Sequence, residues 1–144
     1  MLNCKILLVD DDKEDYQILQ QVFSDLGADD TLLYADSGIH AIEFLEHQYG
    51  LNETVPDMVV LDINMPIMDG PAVLRAIRKD PRFQHIPVVM YSTSINPSDE
   101  QQCVGLGAEY CISKPTRLEE IIQVGETLLA ICEKRNPLVM PDIS

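Results

Sequence analysis

Several charged or hydroxyl side chains stand at the ends of short apolar runs in this sequence. Asp10 and Asp11 follow the first run and Asp62 ends the third, while Ser92 ends the fourth and Lys114 follows the fifth. Carboxylates packed within a few ångströms of one another would protonate in part unless a positive group lay among them. A hard divalent ion such as Mg²⁺, which needs few protein ligands, is a natural occupant. An ammonium and a hydroxyl beside it complete the parts for phosphoryl transfer to a carboxylate.

The elements that must bring these residues together alternate regularly along the chain. The apolar runs predict five strands, at 5–9, 31–35, 57–62, 86–92 and 109–113. A helical pattern follows each strand, and such connections are right-handed crossovers, so we expect a parallel sheet covered by helices on both sides. Sites in sheets of this kind lie at the carboxyl ends of the strands. The polar residues at the strand ends should therefore meet at one edge.

Helix starts can be predicted from capping residues. The predicted caps are Asp12, Ser37, Asn96 and a capping box of Thr116 with Glu119, and Pro71 is expected to open the third helix. Asp12 is therefore interpreted as a cap and not as a metal ligand. The fourth helix carries few apolar residues. The last helix is long and amphipathic, with Leu118 placed on its apolar face.

The composition limits the possible functions. A chain of 144 residues fits one compact domain, and its formal net charge of −14 disfavours nucleic acid and anionic membranes as partners. No apolar stretch approaches the roughly 20 residues that cross a bilayer, and the acidic start does not resemble a signal peptide. We expect a cytoplasmic protein. The four cysteines form no C-x-x-C pair, so buried free thiols are expected and not structural zinc or disulfides.

Four motifs in order resemble the receiver domain of a two-component response regulator over roughly residues 4 to 133. They are "VDDD" at 9–12, "LDINMPIMDG" at 61–70, "MYSTS" at 90–94 and "SKP" at 113–115. The resemblance implies a flavodoxin-like, doubly wound (βα)5 three-layer sandwich with a parallel five-stranded sheet of order 2-1-3-4-5. It also implies a single-domain regulator, with residues 1–133 as the receiver and 134–144 as a C-terminal tail.

The resemblance also implies a role for each site residue. Asp62 would be the phosphoacceptor, assisted by Lys114 and by the hydroxyl of Ser92. Mg²⁺ would be held by Asp11, by Asp62, by the main-chain carbonyl of Asn64 and, through water, by Asp10. The Lys114–Pro115 peptide bond corresponds to one that is commonly cis in the family.

One position departs from the family pattern. Three residues before the lysine, receiver domains usually have an aromatic residue that turns inward when the hydroxyl moves. In this chain that position is Cys111, and the tyrosine is one place earlier at Tyr110. Because side chains alternate along a strand, the tyrosine ring is expected on the opposite face.

The resemblance implies phosphorylation of Asp62 by a histidine kinase or a phosphotransfer protein. With no effector domain in the chain, output is expected through contact of the fourth helix, fifth strand and fifth helix with a downstream protein. Such a chain is a phosphoacceptor and not an enzyme. A phosphate-independent binding module on the same fold is the alternative. An aspartyl phosphatase would want an acid where Asn64 stands. A flavodoxin-like electron carrier would need a Ser/Thr/Gly-rich phosphate loop after the first strand, and that loop is acidic in this chain.

Overall fold

The computed structural model describes residues 4–52 and 54–135, in which strands and helices alternate. The strands are β1 (Ile6–Val9), β2 (Leu32–Ala35), β3 (Met58–Leu61), β4 (Val88–Ser92) and β5 (Tyr110–Ser113). The helices are α1 (Lys13–Asp25), α2 (Gly38–Gly50), α3 (Gly70–Lys79), α4 (Pro97–Gly105) and α5 (Leu118–Arg135). Each predicted strand is present and is one or two residues shorter than predicted.

All five strands pair in parallel, in the order β2-β1-β3-β4-β5, as expected. β1 lies between β2 and β3, and every one of its side chains is buried. This central position explains its uninterrupted apolar run, because helices cover both faces of the strand.

The two faces of the sheet have separate apolar cores, which gives the molecule three layers. The core on one face includes side chains of α2, α3 and α4, and the core on the other includes side chains of α1 and α5. Gly125 allows the second layer to close, since a Cβ there would lie 2.7 Å from the Val22 side chain of α1. The predicted doubly wound architecture is confirmed.

Most predicted helix starts are confirmed. Asp12 accepts a hydrogen bond from the backbone N–H of Glu14 at 3.0 Å, and Ser37 accepts one from His40 at 3.1 Å. At the start of α4, Asn96 and Asp99 form a reciprocal capping box. Pro71 lies in the first turn of α3, which begins one residue earlier than expected. Local side-chain chemistry therefore set most helix boundaries.

The start of α5 differs from the prediction. The helix begins at Leu118, so Arg117 and not Thr116 directly precedes it. The Glu119 carboxylate accepts a hydrogen bond from the Arg117 guanidinium at 2.9 Å, so Glu119 forms an ion pair with the residue two places before it. Leu118 was expected on the buried face and is 61% exposed, because it lies in the first turn, at the rim of the α1–α5 layer.

The Lys114–Pro115 peptide bond corresponds to one that was expected to be commonly cis. No cis peptide bond occurs among the described residues, so Lys114–Pro115 is trans. This is the ordinary preference of an X–Pro bond, by about 0.5–1 kcal/mol.

α5 continues to Arg135, and most of the predicted tail, residues 136–144, lies outside the described residues. The boundary at residue 133 stays a prediction.

The cysteines are free thiols, as expected. Three of them are buried, and Cys111 is only partly buried because it lies on the edge strand. In the part of the chain that the structure describes, no helix has the length and apolar character to cross a membrane.

Candidate functional site

The acidic residues after β1 and β3 meet at the carboxyl edge of the sheet. Val9 and Leu61 are register partners in the β1–β3 pair, so the residues that follow them are neighbours. The backbone N–H of Asp62 continues the ladder with a 3.0 Å hydrogen bond to the carbonyl of Val9. Both Asp10 and Asp62 are buried, at 0% and 6% exposed. The sheet register itself places two carboxylates side by side out of water.

Lys114 reaches the same place from β5. Its backbone N–H donates to the carbonyl of Ser92 at 2.9 Å, which extends the β4–β5 ladder by one step. Its Nζ lies 2.6 Å from Asp10 Oδ2, 2.8 Å from Asp15 Oδ2 and 3.5 Å from Asp62 Oδ2. Although burial acts in the opposite direction, these carboxylates hold the pKa of the Lys114 ammonium above its ordinary value. The lysine is therefore a permanent cation shared by three carboxylates.

The Ser92 hydroxyl is hydrogen-bonded to Asp62, the predicted phosphoacceptor. Its Oγ donates to Asp62 Oδ1 at 2.5 Å, and the hydroxyl is 1% exposed. The backbone N–H of Asn64 donates to the same oxygen at 3.2 Å. The Ser92 hydroxyl therefore lies beside Asp62 in the unphosphorylated chain. The reason is that a buried hydroxyl needs a partner, and the carboxylate is the acceptor within reach.

Asp10 has the most perturbed carboxyl of the site. Burial raises its pKa to about 6, although hydrogen bonds from Lys114 and from the backbone N–H of Asp12 oppose this increase. That backbone bond measures 2.9 Å. A group that is costly to ionise in isolation becomes easier to ionise when further positive charge arrives. Asp10 is therefore suited to bind a cation.

The donor set at this edge fits a hard divalent ion. Carboxylate oxygens of Asp10, Asp11 and Asp62 all lie within 4.8 Å of one another. Two of these residues are buried and Asp11 is exposed, which leaves one side of the cluster open to water. Oxygen donors with room for water ligands are what Mg²⁺ requires. Asn64, whose carbonyl was the further predicted ligand, is exposed beside Asp62.

Two supporting residues were not predicted from the sequence. Asp15 pairs with Lys114 from the first turn of α1. One sequence feature could have indicated this role: Asp15 lies three residues after the cap Asp12. At that spacing its side chain is near the start of the helix. Tyr34 donates from its hydroxyl to the Asp10 carbonyl at 2.8 Å, and its ring stacks on Tyr16 at 4.3 Å between centroids. Nothing in the local sequence around Tyr34 indicated this long-range contact.

The loop between β3 and α3 packs closely against the acceptor. A Cβ at Gly70 would lie 2.3 Å from the carbonyl oxygen of Asp62 and 2.8 Å from the Cα of Ile63. The Gly70 N–H donates to the Ile63 carbonyl at 2.9 Å. Only glycine allows this contact between backbones, so Gly70 fixes the position of Asp62. At the rim of the loop Ile67 is 97% exposed and has a φ of 69°.

Cys111 and Tyr110 of β5 point to opposite faces of the sheet. Cys111 packs against the core that includes Cys103 of α4. Tyr110, one residue earlier, pairs in register with Val89, which belongs to the opposite core, and its side chain is 47% exposed. The tyrosine ring therefore lies on the other face, as the strand alternation predicts.

The chain is similar to known proteins over most of its length. The family model described as response regulator receiver domain matches residues 6–126. Response regulator Rcp1 of Synechocystis sp. (strain ATCC 27184 / PCC 6803 / Kazusa) is 32% identical over 120 residues, which cover 83% of this chain and 82% of Rcp1.

Two solved structures are similar over almost the whole chain. The phosphorylated cyanobacterial phytochrome response regulator RcpA has a TM-score of 0.81 and 31% identity, covering 91% of this chain and 94% of that one. The Mn(2+)-bound form of response regulator Rcp1 has a TM-score of 0.79 and 29% identity, covering 96% of this chain and 99% of that one.

Proposed function

The chain belongs to the response regulator receiver domains of two-component signalling, and we propose that Asp62 accepts a phosphoryl group. The donor is a phosphohistidine of a histidine kinase or of a phosphotransfer protein. The observation that carries this proposal is the convergence on Asp62 of a buried hydroxyl, a lysine ammonium and two further carboxylates. Each of these groups has a task in phosphoryl transfer.

The transfer itself is a single displacement at phosphorus. An oxygen of the Asp62 carboxylate attacks, the P–N bond of the phosphohistidine breaks, and the imidazole leaves with the bonding electron pair. The product is an acyl phosphate, and hydrolysis of its P–O bond by water restores the carboxylate. The chain is thus a phosphoacceptor that is reset by hydrolysis and not an enzyme with a separate substrate.

The protein groups around Asp62 stabilise the product. The Lys114 ammonium turns from Asp15 to the phosphoryl oxygens, and the Ser92 hydroxyl exchanges Asp62 Oδ1 for one of those oxygens. Phosphorylation adds roughly two negative charges at this point. Each partner gains a more highly charged acceptor than it had before. These exchanges pull on the ends of β4 and β5, which carry Ser92 and Lys114.

Asp10, Asp11 and Asp62 would hold Mg²⁺, with Asp10 acting through water and the Asn64 carbonyl as a further ligand. When bound, the ion neutralises charge that builds up on the phosphoryl oxygens. A cation at this place is supported by the donor set and by the family relative described in a Mn(2+)-bound form.

Output passes through a surface next to β4 and β5. Three large apolar side chains of this region are exposed: Val104 of α4 by 55%, Tyr110 of β5 by 47%, and Leu118 of α5 by 61%. α4 buries only Cys103, so little packing free energy holds it in one position. We infer that a downstream protein binds this α4–β5–α5 face. The acidic surface makes nucleic acid and anionic membranes poor partners, and we expect the protein to work in the cytoplasm.

A small phosphodonor tests the acceptor directly. Incubation with the donor and Mg²⁺ should give a single phosphoryl adduct by intact mass spectrometry. The adduct should be absent when Mg²⁺ is chelated and absent in Asp62→Asn. Asp29→Asn, which changes an exposed carboxylate far along the chain, is the matched control and should be labelled like the wild type. Undiminished labelling of Asp62→Asn would refute the assignment, and a wild type that is never labelled would favour a phosphate-independent module.

A further inference from the structure

A second group of metal-binding side chains lies at the other edge of the sheet. Cys4 precedes β1, Asp57 precedes β3, and Cys132 lies on α5. The two sulfurs and a carboxylate oxygen of Asp57 all lie within 4.8 Å of one another. Because the residues are on the amino-terminal side of the strands, the sheet separates them from the acidic pocket at the carboxyl edge.

We propose that Cys4, Cys132 and Asp57 form a binding site for a thiophilic divalent cation of the Zn²⁺ class. The ion would connect the residue before the start of β1 with α5. This proposal does not depend on phosphorylation of Asp62.

The spacing of the donors suits a tetrahedral ion. Zinc binds thiolate sulfur at about 2.3 Å and carboxylate oxygen at about 2.0–2.2 Å, so neighbouring ligands lie about 3.5–3.8 Å apart. Donor atoms within 4.8 Å of one another need only small side-chain rotations to reach such distances. Two thiolates favour zinc over magnesium, which prefers oxygen.

The carboxylate in this group is already oriented. Asp57 Oδ2 accepts a hydrogen bond from the backbone N–H of Lys5 at 2.8 Å, and the Asp57 N–H donates to the Lys5 carbonyl at 2.7 Å. Hydrogen bonds of this kind fix the direction of a ligand. Asp57 is also only partly buried, whereas both cysteines are buried. A water molecule can therefore take the fourth position from the Asp57 side.

The charges near the thiols favour a cation over free thiolates. Burial raises the pKa of both Cys4 and Cys132, and the carboxylates of Asp57 and Glu133 raise them further. The two thiols are hydrogen-bonded to each other. Binding of one Zn²⁺ replaces two S–H bonds by two Zn–S bonds and releases two protons, so affinity must increase with pH.

Cobalt and zinc titrations of the reduced full-length protein test the site. Excess Mg²⁺ is present to occupy the acidic pocket, and Asp11→Asn provides a second safeguard against binding there. We expect one equivalent of Co²⁺ to bind with thiolate-to-cobalt charge-transfer absorption, and one equivalent of Zn²⁺ to displace it. Zinc affinity should fall by at least about 10-fold in both Cys132→Ser and Asp57→Asn, because loss of a ligand costs at least as much as loss of a hydrogen-bond partner of a ligand.

The matched control is Cys103→Ser, which alters an equally buried cysteine outside the group. It should retain both the stoichiometry and the absorption band. Asp57→Asn is almost isosteric and keeps the same backbone bonds, so it separates loss of a ligand from loss of the fold. Zinc binding that is unchanged in Cys132→Ser and Asp57→Asn would overturn the proposal. A cobalt complex without thiolate charge transfer would overturn it equally.

Discussion

Lys114 is the residue on which the electrostatics of the site depend. Its side chain is 8% exposed, and its ammonium is shared by Asp10, Asp15 and Asp62, with Asp62 at the longest distance of the three. The lysine is thus held nearby but is mainly bound to other carboxylates. Phosphorylation changes the competition, because a phosphoryl group carries more charge than any single carboxylate.

Removing one competitor should make phosphorylation faster. In Asp15→Asn the lysine no longer has to give up an ion pair that is 2.8 Å long and partly exposed. Such a pair contributes about 1 kcal/mol, so we expect labelling by a small phosphodonor to be about fivefold faster. Rates measured by intact mass spectrometry check this. Glu14→Gln, an exposed change in the same turn, should leave the rate unchanged, and a slower Asp15→Asn would show that Asp15 assists Lys114.

The raised pKa of Asp10 predicts how stability depends on pH in the absence of metal. The folded state holds the Asp10 proton more tightly than the unfolded state, whose ordinary value is 3.8, because burial raises the folded pKa to about 6. The stabilisation from this proton is complete at low pH and is lost as pH increases through about 6. Between pH 4.5 and 7.5 the wild type should lose about 2 kcal/mol of unfolding free energy relative to Asp10→Asn.

Urea unfolding of both proteins in EDTA across this pH range measures the difference. Comparing the two proteins removes the contribution of titrating groups that do not interact with Asp10. If the wild type instead gained stability relative to Asp10→Asn as pH increased, the Asp10 carboxyl would have a depressed pKa and the account of its burial would be wrong.

Among the elements, the strands were the most predictable from sequence. Their apolar runs were continuous, and the polar residues after Val9 and Leu61 marked the ends that form the site. Parallel register then brought Asp10 and Asp62 together, which needed only strand order and direction. Prediction was weaker where an outcome depended on a contact between distant elements. The pairing of Asp15 with Lys114 is one such contact.

The cysteines show the same limit more strongly. Their sequence spacing argued against a metal site, because local motifs were the only signal that could be read. Cys4 and Cys132 are far apart in the chain. They meet because α5 packs on the face of the sheet where Cys4 and side chains of β1 form one core. The start of α5 was misplaced by one residue, and there Glu119 pairs with the Arg117 guanidinium.

The loop from β3 to α3 offers a test of how an element positions the acceptor. Gly70→Ala places a methyl group 2.3 Å from the backbone carbonyl of Asp62, where neither backbone has room to move. We expect a loss of about 1–3 kcal/mol in unfolding free energy and slower labelling of Asp62. Gly105→Ala is the matched control, because a Cβ there meets nothing within 4 Å. It should stabilise the protein by about 0.4–1 kcal/mol, and equal effects of the two changes would contradict the close-approach argument.

Two groups of side chains that could bind metal ions lie at opposite edges of the parallel sheet, and they differ in their donor atoms. Its carboxyl edge collects oxygen donors around Lys114, and its amino edge collects two sulfurs with Asp57. The net charge of −14 adds a long-range attraction for cations and for basic protein surfaces. Both assignments follow from the same fact, that residues remote in sequence become neighbours where strands begin or end.

Finding which aspartate carries the phosphoryl group is the decisive test of Asp62 as the acceptor. After labelling in Mg²⁺, borohydride reduction converts an aspartyl phosphate to homoserine, which tandem mass spectrometry of peptides can assign to one position. If Asp62 is the acceptor, we expect homoserine at residue 62 and at no other aspartate. Homoserine at Asp10, Asp11 or Asp15 instead would contradict it, because the groups that stabilise the product would then surround the wrong carboxylate.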